Sequence, residues 1–252
     1  MTEPESTMQL AGVASEAHAA VGQFVVDMQE RLGHDLASIT VVGSGTGPDF
    51  KSGVSDINTI LVLTRVERSH LEVISQMAKG LRKRHMALPL LMTPEYIERS
   101  RDVFGVELLD FQLSGKTVLG ENPFDGLTFE RSDVRLQCER ELKAMLIRLR
   151  QGYMASAGNA RMLRDVLVST GKTLLPYLRA MVWLNQGERD NSIQGTLSQA
   201  RETLAIETST LELLLQWRNT KVKAPKEALV AGFDATYAMI VKLADWVDSH
   251  EV

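Results

Sequence analysis

The chain has 252 residues, 44% of them hydrophobic and 24% charged, enough for a core of ordinary size in one large domain or two average ones. Its formal charge of −4 argues against a general nucleic-acid coat, which needs a basic surface. Cys138 is the only cysteine, which excludes a disulfide framework and a cysteine-rich zinc site, and the five histidines show no paired ligand spacing.

Met1–Met8 contains Glu3 and Glu5 and lacks the basic-then-apolar order of a signal peptide. No apolar run reaches the length of a membrane span. A cytoplasmic protein without membrane association is expected.

Residues 8–32 read as an amphipathic helix, with Val13, Val21, Phe24, Val25, Met28 and Leu32 at helical spacing and Gly33 as its stop. Leu36–Val42 ends in a β-branched run and reads as a buried strand. Gly43-Ser44-Gly45-Thr46-Gly47-Pro48-Asp49 cannot continue it, and Ile57–Leu63 is a second strand opened by Ser55-Asp56. A helix over Ser69–Arg84 follows, its cationic last turn complementing the helix dipole. Ala87–Met92 reads as a third strand, and Thr93-Pro94-Glu95 as a helix start with Thr93 at the N-cap. Val103–Phe111 reads as a fourth strand and Thr117–Leu119 as a short extension.

After Asp125-Gly126 the strand signals stop. Helices are expected over Ser132–Ala155, Ala160–Asn185, Ile193–Ala205, Thr208–Asn219 and Lys226–Ser249, with Pro176 kinking or breaking the second. The pattern is α+β: a mixed-sheet domain over 1–127, including the helix over 8–32, and an all-helical bundle over 128–252.

Three phosphate-loop look-alikes fail on spacing. Gly43-Ser44-Gly45-Thr46-Gly47 lacks the Gly-x-Gly-x-x-Gly spacing of a dinucleotide turn and the helix that must begin within it. Ser114-Gly115-Lys116-Thr117 and Thr170-Gly171-Lys172-Thr173 carry the tail of a P-loop, but Asp110 and Val166 stand where its leading glycine belongs.

One constellation survives: an apolar strand ending in Gly43-Ser44, a loop, a second strand opening Ser55-Asp56-Ile57-Asn58, and Glu107 and Asp110 on a later strand. Over residues 36–120 this resembles the DNA polymerase beta-like nucleotidyltransferase superfamily, in particular its small bacterial members. The resemblance implies a mixed sheet with a helical C-terminal domain, and Mg²⁺-dependent transfer of a nucleoside monophosphate from an NTP, ATP being the expected one, to an unidentified acceptor. It makes Gly43 and Ser44 the phosphate contacts, with Lys51 and Ser55 nearby. Asp56 becomes the first metal ligand, Asn58 stands in the place of the second, and Glu107 or Asp110 is the third acid. Residues two apart on a strand share a face, so such a pair can hold one or two Mg²⁺ ions with hard oxygen donors. Asn58 is the departure, since an amide oxygen coordinates without bringing charge.

That departure keeps a second reading open, a catalytically inactive relative that binds nucleotide or a protein partner and regulates. A third reading makes the helical half an interaction module on an α/β scaffold. Trp183, Trp217 and Trp246 are expected to pack within helices. The basic series Arg131, Arg135, Arg140, Lys143, Arg148, Arg150, Arg161 and Arg164 is expected to be a solvated helix face, the alternative being a face that meets a triphosphate or nucleic acid. Residues 128–252 lack the Arg-x₄₋₆-His pair of toxin RNase bundles. A homodimer through apolar helix faces is the expected assembly.

Overall fold

Val41 and Val42 end a β-branched run that tolerates burial on both faces, and this run forms the centre of the sheet. The computed structural model describes residues 8–219 and 224–251. The signal-peptide reading of Met1–Met8 lies, Met8 apart, outside them. Contacts divide the chain into two compact units. The first runs to Arg101 and resumes over Leu108–Thr128, and the second takes Asp102–Glu107 and the chain from Phe129 onward. The fold class is α+β, a mixed sheet with helices followed by an all-helical unit.

In the first unit β1 (Leu36–Val42), β2 (Asn58–Leu63), β3 (Leu90–Met92) and β4 (Lys116–Leu119) form a sheet in the order β3-β2-β1-β4. β1 runs antiparallel to β2 and β4, and β2 runs parallel to β3. A parallel pair needs a crossover, supplied here by α2 (Arg68–Lys83). Ile39, Val41, Leu61 and Leu63 meet Phe24 and Met28 of α1 (His18–Leu32) and Ile74, Met77 and Leu81 of α2 in one core. The paired residues Ser38 and Val62, Thr40 and Ile60, and Val42 and Asn58 therefore share the opposite face. α3 (Pro94–Arg99) starts as read, with Thr93 accepting the Tyr96 N–H at 3.1 Å.

The second unit holds α5 (Arg131–Ser156), α6 (Ala160–Gln186), α7 (Ile193–Leu204), α8 (Ser209–Asn219) and α9 (Lys226–Ser249). Val134, Leu142, Leu149, Leu167, Leu174, Leu178, Leu211, Ile240 and Leu243 are among the residues of its core. Among the described residues no helix is long and apolar enough to cross a membrane.

Four local expectations are corrected. Val103–Phe111 is not a strand, because α4 occupies Gly105–Ser114. Leu108, Leu109, Glu107 and Gln112 are good helix formers, and a short apolar run fits either period. The first helix begins at His18 after a 3₁₀ turn over Ser15–Ala17, not at residue 8. Gly12 at φ +81° and backbone bonds to other parts of the sheet unit hold the preceding residues out of a helix. Thr117–Leu119 is no appendage but part of β4, bonded along β1. Of the kink or break expected at Pro176 the break is absent: α6 runs on to Gln186, and burial of Leu174, Leu175, Tyr177 and Leu178 offsets a penalty of about 3 kcal/mol.

Candidate functional site

β1 ends at Val42 and the chain turns through a 3₁₀ segment, Gly43–Thr46. Gly43 sits at φ +70°, where a side chain would be strained. Thr46 Oγ1 closes the turn onto the Gly43 carbonyl at 2.9 Å, and Gly47 N–H donates to the Ser44 carbonyl at 3.2 Å. Gly45 is buried, and a Cβ there would lie 3.1 Å from Val41 Cγ1. Ser44 is half-buried.

The loop that follows folds on itself. Ser55 is buried and accepts the Lys51 N–H at 3.1 Å, while its own N–H returns to the Lys51 carbonyl at 2.8 Å. Ser55 thus serves to close the loop, and Lys51 is exposed. Asp56 and Asn58 are exposed on either side of buried Ile57, the alternation a strand imposes. Val42 pairs with Asn58, so the turn and the Asp-x-Asn segment meet at one end of the sheet. A Cβ on Gly43 would stand 3.6 Å from Asn58 Nδ2.

Neither candidate for a third acid lies on a strand. Glu107 and Asp110 both lie on α4. Glu107 belongs to the second unit, where Gln137 Nε2 donates to its Oε2 at 2.6 Å and the Tyr177 hydroxyl donates to its Oε1 at 3.5 Å. Gln137 Oε1 in turn accepts the Val106 N–H at 2.9 Å. Burial and the neighbouring Glu107 and Glu141 charges push the Tyr177 hydroxyl well above its ordinary range. Asp110 belongs to the first unit, and its carbonyl accepts the Ser114 hydroxyl at 2.5 Å.

No Asp or Glu stands on any of β1–β4. Ile57 bridges Met86 and Ile60 pairs with Leu90, so three steps along one chain match four along the other. Asn58 and Thr59 therefore face the bulge Ala87-Leu88-Pro89, whose Leu88 is 61% exposed. Among the described residues no three of His, Cys, Asp and Glu are grouped to hold a metal ion. At the start of β2 the Asp-x-Asn segment offers one carboxylate, Asp56, and one neutral amide, Asn58. That fits a single Mg²⁺ arriving with phosphate oxygens, and it does not fit a two-metal centre.

The P-loop tails serve structure. Ser114 ends α4 and Lys116-Thr117 lies in β4, while Thr170–Thr173 lies inside α6. Trp217 is buried, and Trp183 and Trp246 pack against the helical core. Much of the basic series is paired: Arg135 and Lys143 with Glu139, Arg148 with Glu141, Arg150 over Tyr237 and Arg131 over Trp183. Burial pushes the Cys138 thiol up, which leaves it unreactive.

Two features escaped sequence reading. The Leu88 bulge depends on register, and the Ala14 N–H that donates to the Gly45 carbonyl at 2.9 Å is a backbone contact without a side-chain signature. Only the glycine at position 12 hinted that the segment before α1 is not helical.

No family model and no curated protein matches the chain. Among solved structures it is similar to spectinomycin adenyltransferase AAD(9) from Enterococcus faecialis, determined with ATP and spectinomycin. The two share 10% identity at a TM-score of 0.57, covering 89% of this chain and 99% of that one. The likeness shows a fold of nucleotidyltransferase type.

Proposed function

We propose that the sheet unit binds a nucleoside triphosphate with its Mg²⁺, and that the chain acts through this binding with nucleotidyl transfer weak or lost. The single observation that carries this reading is the Asp-x-Asn pair that register sets beside the Gly43–Thr46 turn, one carboxylate and one amide. Asp56 stands there with Asn58, and the facing Ala87-Leu88-Pro89 offers no acid. Gly43 and Ser44 contact the phosphates, because a glycine turn allows the backbone to come close. The Asp56 carboxylate anchors the ion with Asn58 Oδ1 as a neutral helper. The ion, when bound, offsets phosphate charge. A site with one carboxylate holds it more weakly and stabilises less of the charge that develops at a reacting phosphorus.

A second reading, transfer of a nucleoside monophosphate to an acceptor, draws support from the likeness that spans nearly all of an adenyltransferase solved with both ATP and its acceptor. The two readings separate by pyrophosphate release. The protein is incubated with each of the four NTPs and Mg²⁺ beside candidate acceptors, and binding is measured in parallel. Binding abolished by Asp56→Ala without pyrophosphate release supports the first reading. Acceptor-dependent release establishes the second.

A further inference from the structure

The segment before α1 crosses the sheet unit from β4 to the glycine turn. Gln9 N–H donates to the Val118 carbonyl at 2.9 Å, and Ala14 N–H donates to the Gly45 carbonyl at 2.9 Å. Between these points Val13 is buried and its N–H returns to the Leu10 carbonyl at 3.1 Å. Gly12, at φ +81°, lies so close to the Lys116 side chain that a Cβ would stand 2.9 Å from its Cδ. His18, the first residue of α1, contacts the Val13 carbonyl through Nε2 at 3.0 Å. A carbonyl only accepts, so Nε2 carries the proton, and both that tautomer and the imidazolium make the bond.

We propose that this N-terminal strap is a positioning element for the phosphate turn, with the Ala14 N–H fixing Gly45 and His18 fixing the strap. The proposal rests on the nucleotide-binding reading above. Gly45 is the middle of the turn, and its carbonyl direction decides where the adjoining Thr46 N–H points. A turn already held in its binding geometry avoids the cost of ordering on ligand arrival. The strap thus acts on the phosphates through Gly45 and touches no ligand itself.

Ala14 has φ −56°, which proline shares, so Ala14→Pro deletes the donor at a compatible backbone angle. The test uses the full chain. Affinities for a non-hydrolysable ATP analogue with Mg²⁺ and for adenosine are measured, and amide hydrogen exchange over residues 43–47 is followed without ligand. The expected result is about fivefold weaker triphosphate binding, the equivalent of about 1 kcal/mol, with adenosine unchanged and faster exchange confined to the turn. His18→Ala gives the same pattern more mildly, His18→Gln restores it, and this pair decides the matter if Ala14→Pro does not fold. Unchanged turn exchange in folded variants overturns the strap, and so does equal loss of both ligands. If the wild type binds no nucleotide, the functional reading falls, while exchange at the turn still judges whether the strap holds Gly45.

Discussion

Asn58 Nδ2 donates to the Asp56 backbone carbonyl at 3.5 Å, which ties the amide to the residue two before it and leaves Oδ1 as its acceptor atom. Asp56, just before β2, and Asn58, its first residue, thus present a single negative charge where a paired-carboxylate site would present two. The amide keeps the shape of the site and removes half its charge.

Asn58→Asp restores that charge. The substitution forfeits one long hydrogen bond and sets a second carboxylate on the face of Asp56. Mn²⁺ affinity, followed by paramagnetic resonance, is expected to rise roughly tenfold. An unchanged affinity would mean that positions 56 and 58 do not share an ion.

Glu107 accepts hydrogen bonds from Gln137 and Tyr177 within the second unit, so its removal is expected to act on stability. Gln137→Leu deprives the buried Val106 N–H of its acceptor and is expected to cost about 1–3 kcal/mol in urea unfolding. Glu107→Gln is expected to leave ATP-analogue affinity within about twofold, inside the scatter of context effects. A tenfold loss would make Glu107 a ligand.

Gly120 follows β4 at φ +76°, and a Cβ there would overlap the Ala37 carbonyl oxygen. Gly120→Ala therefore meets both backbone strain and a collision with main chain. A loss of about 2–4 kcal/mol is expected in chemical denaturation. A loss below about 1 kcal/mol would show that β1 and β4 separate easily at this end.

Stability should also fall in acid through Asp27. Burial raises its pKa, but hydrogen bonds from Gln23 and Arg84 and the Arg84 charge outweigh that and hold it below the ordinary value of 3.8. A depressed folded pKa stabilises fully above the unfolded value and loses that stabilisation as pH falls through the folded one. Asp27→Asn is thus expected to cost about 1 kcal/mol near pH 7 and progressively less below pH about 4. A cost independent of pH would sink the assignment to the Asp27–Arg84 pair, 2.9 Å apart in the fold.

The centre of the fold was legible because its residues leave no alternative. A β-branched run bounded by Gly43 and an alternating Asp56-Ile57-Asn58 each fit one structure. The helical half was legible for the same reason, its apolar positions recurring over several turns. Val103–Phe111 misled because a short apolar run satisfies both periods, and burial of Val106, Leu108 and Leu109 favoured the helix. That the Gly43-Ser44 turn and the Asp56-x-Asn58 segment meet was legible from the strand pattern around them. The site was illegible where register or backbone decides, at the Leu88 bulge and at the Ala14 contact to Gly45. Glu107 lay between these cases: its charge was visible, but its partners Gln137 and Tyr177 stand 30 and 70 residues away.

Isothermal titration of the protein with a non-hydrolysable ATP analogue, with and without Mg²⁺ and beside Asp56→Ala, tests the central claim most directly. Nucleotide binding through Asp56 predicts Mg²⁺-dependent heat that the substitution abolishes. Absence of binding to ATP, GTP, CTP and UTP analogues, or binding that survives both Asp56→Ala and removal of Mg²⁺, would contradict it.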